Sequence, residues 1–69
     1  MAENSARANA PQWHEDDVTF AIVEIRGEFP SLSAAEAADA VSRGAIAVLP
    51  SAGRVQLVHH VRKLLRVPK

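Results

Sequence analysis

The 69-residue sequence contains no cysteine, which excludes a disulfide framework and a thiolate metal site. It is also poor in aromatic residues, with one tryptophan, two phenylalanines and no tyrosine. No stretch approaches the roughly 18 consecutive apolar residues of a membrane span, and the N-terminus lacks the basic and apolar regions of a signal peptide. We therefore expect a single small cytoplasmic domain that needs regular helix packing or oligomerisation for stability.

Acidic residues are missing from the second half of the chain. All eight of them lie at or before position 39 with only two basic residues, and the other six basic residues follow. The formal net charge of zero is thus the sum of two opposed halves. Such a split can steer an anionic partner to one end, a cationic partner to the other, or a second copy of the chain head to tail.

The first part of the chain predicts a disordered tail followed by an amphipathic helix. Residues 1–12 are small and polar, so we expect them to be disordered, with Trp13 as the first anchor. A helix over about 16–29 is predicted by apolar residues at helical spacing, by acidic residues at its start and by Pro30 at its end. Thr19 to Ile25 is also rich in β-formers, which leaves a strand as the rival interpretation. The apolar stripe consists of Val18, Ala21, Ile22, Ile25 and Phe29.

Ser33 and Glu36 have the spacing of a capping box. In this motif each side chain accepts a hydrogen bond from the backbone N–H of the other residue. The apolar face that follows predicts a second helix over about 33–49. Gly44 leaves an alternative: the helix could stop at Arg43, with Gly44 as its cap and a β-hairpin over about 45–58.

A third helix is predicted over about 53–66, since its apolar residues occupy one arc and basic residues lie near its C-terminal end. The sequence therefore predicts an all-α, three-helix bundle over residues 13–69, with alanines of the second helix allowing close approach. The expected core is Ile22, Ile25, Phe29, Leu32, Val41, Val48, Leu49, Leu57, Val61, Leu64 and Leu65.

No arrangement of side chains typical of an enzyme is found. The serines lie where helix caps and turns require them, and Asp16 and Asp17 fall at an exposed helix start, where nothing would separate their pKa values. His59 and His60 are adjacent, so on a helix they point about 100° apart and cannot share a metal ion. We expect no catalytic residue, metal, cofactor or small-molecule substrate.

The last helix presents a polar, mostly basic face that could meet phosphates or base edges. Together with the second helix and the turn at Gly53, it resembles a helix-turn-helix over residues 33–66, apart from the extra segment Ala45 to Leu49. That resemblance implies a nucleic-acid-binding domain. The sequence pI near 6.8 is low for such a protein. The candidate residues are Gln56, His59, Arg62, Lys63 and Arg66.

A protein-interaction module is the hypothesis that we favour from the sequence. Phe20 and Val23 lie off the apolar stripe of the first helix, which suggests a second buried surface, and the opposed charges would suit a partner of complementary charge. We therefore predict a non-enzymatic domain that binds a protein or itself, with Phe20 and Val23 as self-association candidates. We expect no membrane attachment, because the basic helix is short and lacks aromatic anchors.

Overall fold

The computed structural model of the chain describes residues 12–66. They form three α-helices, α1 (Glu15–Glu28), α2 (Ala34–Ala47) and α3 (Arg54–Arg66), with a short 3-10 helix (Pro50–Ala52) before α3. The all-α prediction is confirmed. No residue from 12 to 66 is in a strand, so the strand interpretation of the first segment and the hairpin over 45–58 are both wrong. The disordered tail predicted for residues 1–12 lies, except for Gln12, outside the described residues.

Helix α1 begins with the acidic turn that the sequence indicated. Nδ1 of His14 accepts a hydrogen bond from the backbone N–H of Asp16 at 3.1 Å, and all three residues that follow His14 are acidic. Negative charge there stabilises the positive end of the helix dipole. At the other end the Phe29 N–H still bonds the Ile25 carbonyl, and Pro30 supplies no N–H to continue the ladder.

Helix α2 starts with the predicted capping box. The Ser33 hydroxyl accepts a hydrogen bond from the Glu36 N–H at 3.1 Å, and the Ser33 N–H donates to Glu36 Oε1 at 2.8 Å. The hydrogen bonds from the Ser33 backbone and side chain lower the pKa of the Glu36 carboxyl. Two backbone N–H groups that lack partners within the helix are satisfied in this way.

Gly44 does not end α2, which continues to Ala47. The glycine is buried where α2 meets α3, and a Cβ placed there would stand 2.5 Å from Val61 Cγ2 and 3.3 Å from Leu57 Cδ1. The alternative in which the helix stops at Arg43 with Gly44 as its cap is therefore wrong, and the predicted continuation of the second helix past Gly44 is confirmed. Gly44 instead allows the two helix backbones to approach closely.

The connection between α2 and α3 is compact. Pro50 opens the 3-10 helix, and Gly53 closes it with φ of 93°, a left-handed value that residues with a Cβ adopt only with strain. The backbone then enters α3 directly, because the N–H groups of Gln56 and Leu57 bond the Gly53 carbonyl.

The core lies along the meeting line of the three helices. Alanines fill much of it, as expected from the composition of α2, and α1 and α3 run side by side in the same direction, since their first turns meet at Asp17–Arg54 and their last turns at Glu28–Arg62. None of the helices within residues 12–66 is both long and apolar enough to cross a membrane. The buried residues are Ala21, Ile25, Ala37, Ala40, Val41, Leu57, Val58 and Val61.

Two residues of the predicted core are exposed. Leu49 is 62% exposed, because α2 ends at Ala47 and Leu49 falls in the extended connection before Pro50. Leu64 is 42% exposed, because it lines an open groove whose α2 side consists of three alanines and three charged residues.

Candidate interaction surfaces

The five residues predicted as a basic face of α3 do not act together. Gln56, His59 and Lys63 are exposed. Arg62 instead turns toward α1, where its Nε and Nη2 donate to the two carboxylate oxygens of Glu28 at 2.6 and 2.5 Å. Arg66 follows it, with Nη2 3.9 Å from Glu28 Oε1 and its guanidinium 5.7 Å from the ring centroid of Phe29. Of the three cations on this face, Arg62 and Arg66 therefore lie against α1, and Lys63 does not.

The pairing of Arg62 with Glu28 is a two-point, charge-assisted hydrogen bond. The hydrogen bond from Arg62 lowers the pKa of the Glu28 carboxyl, and the nearby charges of Arg62 and Arg66 act in the same direction. The same bond raises the pKa of Arg62. Glu28 therefore stays ionised and neutralises the arginine, which is consequently less available to an external phosphate.

Phe20, one of the two predicted self-association residues, does not face away from the core. It is partly buried and packs against the core, and the Arg54 guanidinium lies 4.5 Å from its ring centroid. Arg54 also pairs with Asp17, with 3.6 Å between Nη1 and Oδ1. The expectation of an outward-facing Phe20 is therefore wrong, because helix α3 packs on that flank of α1.

Val23, the other self-association candidate, is 62% exposed. It lies on the side of α1 opposite Ala21 and Ile25, as its position off the stripe indicated. Phe20 and Val23 therefore lie in different surroundings, and Val23 alone remains an exposed apolar residue on α1.

The opposed charges of the two chain halves meet inside one molecule. Acidic residues of α1 pair with basic residues of α3 at both ends of the α1–α3 contact, and Asp39 pairs with Arg43 along α2 at 3.1 Å. Much of the charge that could have bound a second copy is thus used within the fold. Among residues 12–66, Lys63 makes no ion pair.

A furrow between α2 and α3 forms an open concave surface. One part of about 600 Å³ and a neighbouring part of about 590 Å³ share Ala47 and His60 in their walls. We call this surface the α2–α3 face. Its apolar floor consists of Leu32, Ala35, Ala40, Ala47, Leu49, Leu64 and Leu65.

An apolar patch adjoins this face and shares Leu49 with it, at the end of the bundle where α2 stops. Ile46 is 88% exposed and borders a hollow with Trp13 and Leu49. The predicted anchoring role of Trp13 is confirmed, because its indole N–H donates to the carbonyls of Ala45 and Val48 at 3.2 and 3.0 Å. We call Trp13, Ile46 and Leu49 the end patch.

Sequence reasoning missed Ile46, although the signal was available. Ile46 falls off the apolar stripe of α2 in the same way as Val23 falls off that of α1. The floor of the α2–α3 face was harder to find, because Leu64 and Leu49 both have the spacing of core residues.

Nothing in this part of the chain gathers the groups of a metal site: within residues 12–66, no three His, Asp or Glu side chains come together in a suitable cluster. His59 is exposed, and His60 is half-buried in the wall of the α2–α3 face. In comparisons with known proteins, no family model, no curated protein and no solved structure matches this chain.

Proposed function

We propose that this chain is a small cytoplasmic protein-interaction module, without catalytic activity of its own, that associates with a second copy of itself. The observation that carries the proposal is the exposure of Ile46, Leu49 and Leu64 (88%, 62% and 42%) beside the apolar floor of the α2–α3 face. Contiguous exposed apolar surface is typical of interaction sites on small proteins. Burying it would also supplement a core that is small for a stable domain.

The decisive experiment is the solution mass of the purified chain, measured by sedimentation from about 1 μM to about 1 mM, a range that brackets weak and moderate affinities. We expect the mass to rise with concentration toward that of a dimer. Replacing Ile46 and Leu49 with glutamine should weaken this association, because each change removes exposed apolar surface that a partner would cover.

Val23→Gln is the matched control, since it replaces an aliphatic residue that is as exposed as Leu49 and lies on a different helix. If this control weakens association and the Ile46 and Leu49 changes do not, the interaction surface is on α1. A mass that stays monomeric throughout would contradict self-association.

Nucleic-acid binding through α3 is the competing hypothesis. It has less support, because Arg62 and Arg66 lie against Glu28, which leaves Lys63 as the unpaired cation of that face within residues 12–66. Salt-sensitive binding of duplex DNA, weakened when Arg62, Lys63 and Arg66 are changed to glutamine, would reverse this preference.

A further inference from the structure

We propose that two copies of the chain pack through their α2–α3 faces about a two-fold axis parallel to the helices, so that α2 of each copy lies against α3 of the other. This inference rests on the proposed self-association and specifies its surface, its symmetry and one pair of residues, Asp39 and Lys63.

The two walls of the α2–α3 face differ in charge. On the α2 side lie two acidic residues and one basic residue, Glu36, Asp39 and Arg43, and on the α3 side the charged residue is Lys63. A two-fold interface requires a surface that is complementary to itself, because residue i meets residue j in both directions. A face with a net acidic edge on α2 and a basic residue on α3 meets this condition when α2 of one copy opposes α3 of the second.

The levels of the residues along the bundle identify the pair. Gly44 of α2 lies at the level of Leu57, His60 and Val61 of α3, and the two helices run in opposite directions. Asp39 lies five residues, about 7.5 Å, before Gly44 along α2. The same number of residues toward the end of α3, counted from Leu57, His60 and Val61, reaches positions 62 to 66, and Lys63 falls within that range. An axis parallel to the helices preserves these levels, and Asp39 of one copy comes opposite Lys63 of the other.

Both side chains are available for this contact. Lys63 is exposed and makes no ion pair within residues 12–66. Asp39 is bound only to Arg43 on its own helix, and a carboxylate has lone pairs for several donors. The apolar floor between them, with Leu64 and Leu49 exposed, would become covered.

The size of the face predicts weak association. Helix α2 has 14 residues and therefore a length of about 21 Å, and two packed helices present a width of about 20 Å. The resulting area of about 400 Å² in projection per copy, or about 800 Å² for the two copies together, is below the standard size of specific interfaces and corresponds to weak, transient association. Dissociation on dilution is therefore expected, and substitutions at the edge should shift it measurably.

A charge-reversal cycle in the full chain tests the proposal. Asp39→Lys and Lys63→Asp should each raise the dimer dissociation constant about tenfold, because each places two like-charge contacts in the symmetric dimer. The double variant should return to within about threefold of the original value, because both contacts are restored with reversed sign. Urea midpoints of all four proteins establish that the variants are folded.

The absence of cysteine from the chain permits a second, direct measurement. An oxidised mixture of the Asp39→Cys and Lys63→Cys variants should give a covalent dimer of the two different chains, since the pair would be close enough for a disulfide. A mixture of Asp39→Cys with Val23→Cys is the control and should remain largely uncross-linked.

The outcomes separate this inference from the proposed function. A chain that dimerises, with no recovery in the double variant and no cross-link between positions 39 and 63, overturns this arrangement but leaves self-association standing. A chain that remains monomeric at every concentration overturns both, and means that a duplex, a different protein or solvent covers the α2–α3 face.

Discussion

Helix α3 is held on its two sides by different kinds of contact. Toward α2 it packs against small residues, and Gly44 brings the backbones together at Val61. Toward α1 it is held by long side chains, with Arg54 over Phe20 and Arg62 bound to Glu28. The first contact depends on shape and excludes water, whereas the second is charged and partly open to solvent.

This difference between the two contacts of α3 explains where apolar surface stays exposed. On the α1 side, arginine side chains lie across the aromatic rings and shield them from water. On the α2 side, alanines and charged residues line the groove, and Leu64 stays partly exposed in it. The close contact between α2 and α3 therefore leaves apolar surface uncovered beside it. At the contact between α1 and α3, long side chains cover the apolar surface.

Substitution of Gly44 is expected to have the largest effect on the α2–α3 contact. In Gly44→Ala, the new Cβ would approach the stiff side chain of Val61, and overpacking of this kind costs about 1–3 kcal/mol. Because alanine gains up to about 1 kcal/mol in helix propensity, we expect a net loss of about 1–2 kcal/mol, measured by urea unfolding. Gly27→Ala is the control: an added Cβ meets no atom within 4 Å, and we expect about 0.5 kcal/mol of stabilisation.

An unchanged or raised midpoint for Gly44→Ala would mean that α2 and α3 are farther apart than described. The comparison between the two sides of α3 would then lose its basis.

Loss of the Ser33 cap should have an intermediate effect. Ser33→Ala removes the acceptor for the Glu36 N–H at the start of α2 and should cost about 1 kcal/mol. Ser31→Ala, in the exposed turn before it, is the control and should leave the urea midpoint nearly unchanged. Equal midpoints for the two variants would show that this cap does not stabilise the helix.

The charged contact with α1 should show the smallest effect, visible as a dependence on pH. Arg62 holds the pKa of Glu28 below its ordinary value of 4.5, so the folded chain binds fewer protons than the unfolded chain there. The contribution of the Glu28–Arg62 pair to the free energy of unfolding is complete at pH values above that ordinary pKa. It is lost as the pH falls through the lowered pKa. Glu28→Gln should therefore reduce the acid sensitivity of the urea midpoint.

Glu36→Gln is the comparison for that experiment. The pKa of Glu36 is lowered by Ser33, so this change should also reduce the acid sensitivity, while glutamine still accepts the hydrogen bond of the capping box. If Glu28→Gln keeps the full acid sensitivity of the original chain, the arginine pair does not contribute to it. High salt should weaken the Glu28 contact and leave the α2–α3 contact nearly unaffected.

Most of the fold could be predicted from local signals. The acidic start of α1, the Ser33 capping box and the apolar spacing in all three helices are each complete within a few residues, so their interpretation needed no tertiary information. Gly44 was ambiguous because a glycine near a helix end signals either a cap or a close approach. Only the position of α3 distinguishes these two roles.

The surfaces were less predictable for the same reason. Arg62 and Lys63 are adjacent cations in the sequence, yet one contacts Glu28 and the other faces solvent. Phe20 has the spacing of an outward residue but borders the neighbouring helix. These differences depend on where α1 packs on α3, which no local pattern records.

The Trp13 indole, hydrogen bonded to two carbonyls at the end of α2, gives the chain a built-in optical reporter. With no tyrosine and a single tryptophan, near-ultraviolet emission comes essentially from this one ring beside Ile46 and Leu49. The wavelength and intensity of the Trp13 emission should report whether the end of α2 is exposed to water or covered by a partner. Fluorescence of the unlabelled chain can thus follow events at that end of the bundle without an added dye.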